Sequence, residues 1–332
     1  SESNSAMLCV PASAVRRIVS LESSGTMGKR KRVYFSEGDI ERTVSFFAEG
    51  MGWICLKGDK VGIFMPCSTP DGVGRLLVKG VRRIGALPLC YGLIHCVKEV
   101  ASRLMAERPD VLVGMPWQIR LLALTCPQLK PKAVLLSADY VPETIYGLLK
   151  SIWSCTVVSH FGMTETGYGC ALESAEHNGL YLRKDEFFME AVDPDTGERK
   201  PDGEMGELVL TTLRREAMPL IRYRTGDLVR LFNSGNKILR VYGRVNIGPA
   251  VYRLQETLCT IQELYDYTFI TTEAGHTIIT AEVSDQAGPD IEARIKKAAA
   301  AACATVVEKT EIIIETASPT NAVMFSTDKK IR

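Results

Sequence analysis

Residues 110–126 read DVLVGMPWQIRLLALTC, and the part up to Pro116 behaves differently from the part after it. The first is a short apolar run ending in a turn residue, the pattern of a strand buried on both faces. The second spaces its apolar residues as a helix does. A strand that passes into a helix is the unit from which parallel sheets are built. Toward the N-terminus the alternation repeats as a capped helix DIERTVSFFAEGMGWI (39–54), strand KVGIFMP (60–66), helix GVGRLLVKGVRRIG (72–85), strand ALPLCYG (86–92) and helix VKEVASRLMAER (97–108). Toward the C-terminus come strand AVLLSA (133–138), helix ETIYGLLKSI (143–152) and strand CTVVSHFG (155–162). This predicts an α/β fold with a mostly parallel sheet, whose ligands sit beyond the strand C-termini.

After residue 180 the pattern changes. FFMEAVDPDTGERKPDGEMGELVLTTL (187–213) holds two strand-like runs joined by Pro, Asp and Gly, the mark of a β-hairpin and of an antiparallel β-subdomain. Beyond VYGR (241–244) the order is strand or helix, strand TFITT, strand HTIITAEV, alanine-rich helix IEARIKKAAAAACATVV and strand TEIIIET. We read residues 7–243 as a large core and 244–332 as a small, mobile α+β C-terminal domain. SESNSA before Met7 reads as a cloning remnant and is set aside.

The chain has 332 residues, and 40 Lys and Arg stand against 39 Asp and Glu, so no net field attracts a polyanion and nucleic acid is not an expected partner. No apolar run reaches the length of a membrane span, so no membrane partner is expected either. Ten cysteines without C-x-x-C spacing read as free thiols of a reducing, cytoplasmic compartment. Cys90, His95 and Cys96 are too few and too awkwardly spaced for a metal cluster.

Three stretches carry chemistry. In SSGTMGKRKR (23–32) the glycines let backbone N–H groups approach an anion, hydroxyls donate hydrogen bonds and cations offset phosphate charge; the alternative is solvated surface. In SHFGMTETGYG (159–169) a strand end runs into Thr164, Glu165 and Thr166, which could hold Mg²⁺ and a phosphate oxygen or simply cap a helix. In PLIRYRTGDLVRL (219–231) Asp227 follows a Thr-Gly turn, placed either to accept hydrogen bonds from a ribose diol or to pair with Arg222 or Arg224.

In this order the stretches resemble the signatures of the adenylate-forming superfamily, the acyl-CoA synthetases, nonribosomal adenylation domains and luciferases, and most closely the phenylacetate-CoA ligase branch. SSGTMGKRK is similar to the family's phosphate loop, HFGMTE to its Y-G-x-T-E motif and GELVLTTLRREAMPLIRYRTGDL to its ribose-binding segment. The likeness spans roughly residues 20–245. It implies ATP or AMP, Mg²⁺ and a thiol, from CoA or a phosphopantetheine carrier, as cofactors.

By the same resemblance Ser23, Ser24, Gly25, Thr26, Gly28 and Lys31 would cradle the phosphates, Thr164 would orient the α-phosphate and Glu165 would bind Mg²⁺. Asp227 and Arg244 would hold the ribose. Ala138 and Asp139, with His160, Phe161, Gly162 and Met163, match the segments that enclose adenine, Phe161 standing for the usual Tyr. Lys329, with Lys330 second, matches the catalytic lysine. Trp117 and Tyr168 could meet an aryl ring. Met27 and Arg30 depart from the loop pattern, Asn246 stands where an acidic hinge residue is usual, and only about twenty residues precede the loop, which reads as a shortened form or a fragment.

The implied activity is ATP-dependent activation of a small, aryl carboxylic acid as acyl-AMP and its transfer to a thiol. Two alternatives stay open: a non-catalytic nucleotide-binding or scaffold protein, and transfer to an acyl carrier protein. A homodimer is also left open.

Overall fold

The computed structural model describes residues 7–22, 30–232, 235–245, 249–271, 277–302 and 310–317. The elements in chain order are β1 (Arg17–Glu22), β2 (Arg30–Phe35), α1 (Glu37–Met51), β3 (Lys60–Ile63), α2 (Val73–Arg83), β4 (Leu87–Cys90), α3 (Val97–Glu107) and β5 (Val111–Gly114). They continue with α4 (Pro116–Thr125), β6 (Ala133–Leu136), α5 (Glu143–Trp153), β7 (Thr156–Phe161), β8 (Ala171–Glu173), β9 (Leu180–Leu182), β10 (Phe187–Val192) and β11 (Met205–Thr212). The last are β12 (Tyr223–Phe232), β13 (Lys237–Arg244), α6 (Pro249–Leu258), β14 (Leu264–Thr271), β15 (Thr277–Ser284), α7 (Ile291–Ala302) and β16 (Thr310–Ala317). Among these residues no helix is long and apolar enough to cross a membrane.

The chain forms two compact units, one of residues 1–57, 67–86 and 160–245, the other of residues 58–66, 87–159 and 246–332. The division falls inside β7, where Thr156–Ser159 pair in parallel with β6 and His160–Phe161 pair antiparallel with β8.

In the second unit the strands run in the order β4-β3-β5-β6-β7, all parallel. Every residue of β5 and β6 is buried, as strands covered on both faces must be, which is why they read as plain apolar runs. The described residues after 248 belong to the same compact unit as residues 58–66 and 87–159. Here β14 pairs antiparallel with β15 and β15 in parallel with β16, and the apolar faces of β14, β15, α6 and α7 share one core with α4 and α5. Arg120 on α4 fixes the join. It is fully buried and donates to the carbonyls of Cys259, Ile261 and Leu264 at 3.1, 2.5 and 2.8 Å. Trp117 meets the edge of Tyr267 at 5.3 Å between ring centres, so it is a core residue of this unit.

In the first unit β1 and β2 form an antiparallel hairpin, and β8, β9, β13, β12, β11 and β10 follow one another in an antiparallel sheet. Helix α1 starts at a capping box: Ser36 Oγ accepts from Asp39 N and Asp39 Oδ2 accepts from Ser36 N, both at 3.0 Å. The same carboxylate accepts from Glu216 N at 2.9 Å and Ala217 N at 3.0 Å, tying the β11–β12 connection to the helix.

The expected Thr-Gly turn before Asp227 is not a turn between strands. One strand, β12, runs through it, and Thr225, Gly226 and Asp227 form a bulge where the register against β11 shifts between Glu207 and Val209. Gly226 takes φ +78°, a conformation that disfavours a side chain, and its N–H is satisfied by buried Glu207 at 3.1 Å.

Candidate active site

The first unit brings together residues from three distant stretches. Lys31, one residue into β2 after Arg30, sends its ammonium to Glu165 Oε1 at 2.7 Å and to the Tyr223 hydroxyl. Tyr223 in turn donates to Glu165 Oε1 at 3.1 Å. Burial alone would pull the lysine down in pKa. The hydrogen bonds and negative charge of Glu165 and Tyr223 outweigh it and hold the group above its ordinary value. Burial likewise pushes Glu165 up, but Lys31 more than offsets this and the carboxyl stays below its ordinary value. Both therefore stay charged near neutrality. For Tyr223 burial and the neighbouring Glu165 act in the same direction and raise its pKa.

Glu165 is held by a 3₁₀ turn, Thr164–Thr166, capped by Met163, whose N–H is accepted by Thr166 Oγ1 at 3.0 Å. The glycines around it are there for space. A Cβ on Gly162 would lie 2.6 Å from the Tyr168 carbonyl, and one on Gly169 would lie 2.7 Å from His160 Nε2. Phe46 and Phe47 flank the His160 ring, and burial pulls its imidazole down to about 4, so it is neutral at pH 7. Tyr168 stacks on Phe35 at 5.8 Å.

At the bulge Asp227 is paired in register with Arg244, and their charged groups are 3.5 Å apart. Arg244 also donates to the Thr225 carbonyl at 3.1 Å. The two alternative partners of Asp227 are engaged elsewhere: Arg222 with Glu190 and Arg224 with Glu207. The inferred ribose pair is thus held by the strand itself.

In the second unit Ser137, Ala138 and Asp139 follow β6. Ala138 adopts φ +67°, a left-handed conformation costing on the order of 1 kcal/mol, and Tyr140 N donates to Asp139 Oδ1 at 2.7 Å. Ser23, Ser24, Gly25, Thr26 and Gly28, and Lys329 with Lys330, lie outside the described residues. Sequence reasoning quoted the motif holding Tyr223 but gave the tyrosine no role. A phenol says nothing about its partner until β12 is folded against the hairpin.

Among the described residues no group of three or more His, Cys, Asp or Glu could hold a metal alone. One buried carboxylate, Glu165, fits Mg²⁺, which commonly takes one or two carboxylates and completes its shell with substrate phosphates and water.

No family model matches the chain. It is 28% identical over 248 residues to the phenylacetate-coenzyme A ligase of Pseudomonas putida, covering 72% of the chain and 56% of that protein. It is 28% identical over 295 residues to the enzyme of the same name from Aromatoleum evansii, covering 81% of the chain and 66% of that protein. Among solved structures, 2-hydroxyisobutyryl-CoA ligase in the postadenylation state matches 98% of the chain and 75% of its own at TM-score 0.76 and 18% identity. A benzoate CoA ligase from Burkholderia xenovorans LB400 matches 89% and 66% at TM-score 0.63 and 14% identity. The fold is that of the adenylate-forming ligases. In sequence the chain is similar to the phenylacetate-coenzyme A ligases, and it spans just over half the length of the first of these relatives.

Proposed function

We propose that the chain activates a small carboxylic acid, an aryl acid above all, with ATP and passes the acyl group to the thiol of coenzyme A. One observation carries the reading: Lys31, Glu165 and Tyr223, from three segments that each match a nucleotide motif, meet in a single hydrogen-bonded cluster. Relatives named for phenylacetate, and structural neighbours solved with an acyl-AMP and with CoA, support it.

In the first half-reaction a carboxylate oxygen bonds to the α-phosphorus of ATP, and the bond to the bridging oxygen breaks to release pyrophosphate. The ammonium of Lys31 offsets charge building on the phosphate oxygens, a task for which burial and a raised pKa suit it. Thr164 orients the α-phosphate, and Ser23, Ser24, Gly25, Thr26 and Gly28 complete the cradle. Glu165 would hold Mg²⁺, which supplies further charge neutralisation. Asp227, steadied by Arg244, accepts from the ribose hydroxyls, while Phe161, Gly162 and Met163 border the adenine. Lys329 bridges carboxylate and phosphate. In the second half-reaction the thiolate bonds to the acyl carbon and AMP leaves.

ATP–pyrophosphate exchange with phenylacetate, benzoate, 2-hydroxyisobutyrate and a long fatty acid tests this. Exchange with the aromatic acids is expected, and exchange with the fatty acid alone would overturn the aryl assignment. ATP binding without exchange for any acid would leave a nucleotide-binding protein without turnover. A carrier-protein thiol replaces CoA if acyl transfer requires a pantetheinylated carrier.

A further inference from the structure

The first unit holds a small, partly open cavity of about 20 Å³ between α1 and the antiparallel sheet. Arg215 points into it with a side chain only 7% exposed. Its Nε and Nη2 are buried and have no hydrogen-bond partner among the described residues. The carboxylate beside it, Asp39, is 3.9 Å away and is already occupied by the N–H groups of Ser36, Glu216 and Ala217. Arg42 adds a second buried Nε without a partner among the described residues, its Nη2 being turned to Glu216. Arg183 also lines the space, 4.0 Å from Glu186. Asp39 and Glu186 line the space, while Arg42 and Arg183 also turn to Glu216 and Asp185, so the donors left without acceptors among the described residues are Nε and Nη2 of Arg215 and Nε of Arg42.

Unsatisfied buried N–H groups are costly, and a buried cation more so. A ligand that relieves both must accept hydrogen bonds and carry negative charge. The volume sets its size. A water-sized particle needs roughly 10–15 Å³ measured this way, so the space admits one such particle and excludes a phosphate or sulfate tetrahedron. We infer that this cavity binds a single monatomic anion of the chloride class, held by Arg215 and Arg42. The site does not depend on the nucleotide chemistry proposed above.

Bromide scatters anomalously and replaces chloride with little change in size. Crystals of the full chain grown in bromide should show an anomalous peak within hydrogen-bonding reach of Arg215 and Arg42, whereas density of water strength with no such peak would overturn the inference. In solution, chloride should raise the melting temperature saturably over gluconate at equal ionic strength. Arg42→Gln, on a partly exposed side chain, should weaken the half-saturating chloride concentration by at least about tenfold, the worth of one charge-assisted hydrogen bond. Equal stabilisation by both salts, or an unchanged chloride response in Arg42→Gln, would refute it.

Discussion

Among the described residues, Arg120 in the second unit and the side chain of Arg215 in the first are buried, and they are treated oppositely. Arg120 in the second unit has Nε, Nη1 and Nη2 each donating to a carbonyl of the 259–264 segment. Arg215 in the first unit rests on the Phe35 ring at 4.3 Å with two nitrogens lacking acceptors among the described residues. Burial pulls both guanidinium groups down in pKa, Arg120 to about 10. A saturated buried charge is architecture: it fixes one segment against another. An unsaturated one leaves donors without acceptors among the described residues. The Lys31–Glu165–Tyr223 cluster is intermediate, its charges satisfied by each other.

The sharpest break of the comparison is Arg120→Met. It strips donors from three carbonyls in a sealed core, so unfolding free energy should fall by about 3 kcal/mol or more. A loss below about 1 kcal/mol in urea denaturation would show that Arg120 is not the join.

Glu165→Gln keeps the shape of the cluster and removes its negative charge. Pyrophosphate exchange should drop by about 10²–10³-fold, the range for losing one charge-stabilising group. Tyr223→Phe should cost only about tenfold, one hydrogen bond's worth. Equal losses for the two would mean that the phenol does more than hold its neighbours.

His160 extends the contrast to acid. Its folded value of about 4 lies below the ordinary 6.5, so between these pH values the unfolded chain binds the extra proton and stability rises with pH. From pH 7 down to 4 the loss should approach roughly 3 kcal/mol, and His160→Gln should flatten that window. Glu165, held below its ordinary 4.5, adds a further loss only at lower pH. A wild-type curve flat between pH 4 and 6.5 would refute the burial of a neutral imidazole.

The smallest effect belongs to Arg215→Met in a halide-free buffer. Replacing an unsatisfied buried charge by a hydrophobe of similar length should change stability by no more than about 1 kcal/mol in either direction. A loss as large as that of Arg120→Met would erase the distinction between the two arginines.

The α/β alternation was legible because parallel strands covered on both faces leave unbroken apolar runs, as in Val111–Gly114 and Ala133–Leu136. The Glu165 turn was legible because glycines and hydroxyl residues cluster where β7 ends, between Gly162 and Gly169. The joined core of residues 246–302 was not. It depends on Gln118 and Arg120 being buried on a helix whose residues are almost all inside, and no periodicity marks a polar residue as interior. The bulge at Gly226 looked like a turn because Thr-Gly serves both, and only the buried Glu207 beneath it keeps β12 continuous.

The central claim is that one adenine nucleotide is gripped by the Lys31–Glu165 cluster and the Asp227 bulge. Calorimetric titration of the chain with ATP and Mg²⁺, beside an Asp227→Ala variant, tests it most directly. One-to-one binding that weakens at least about tenfold in the variant is expected. No heat of binding from the folded wild-type chain, or equal affinity in the variant, would contradict it.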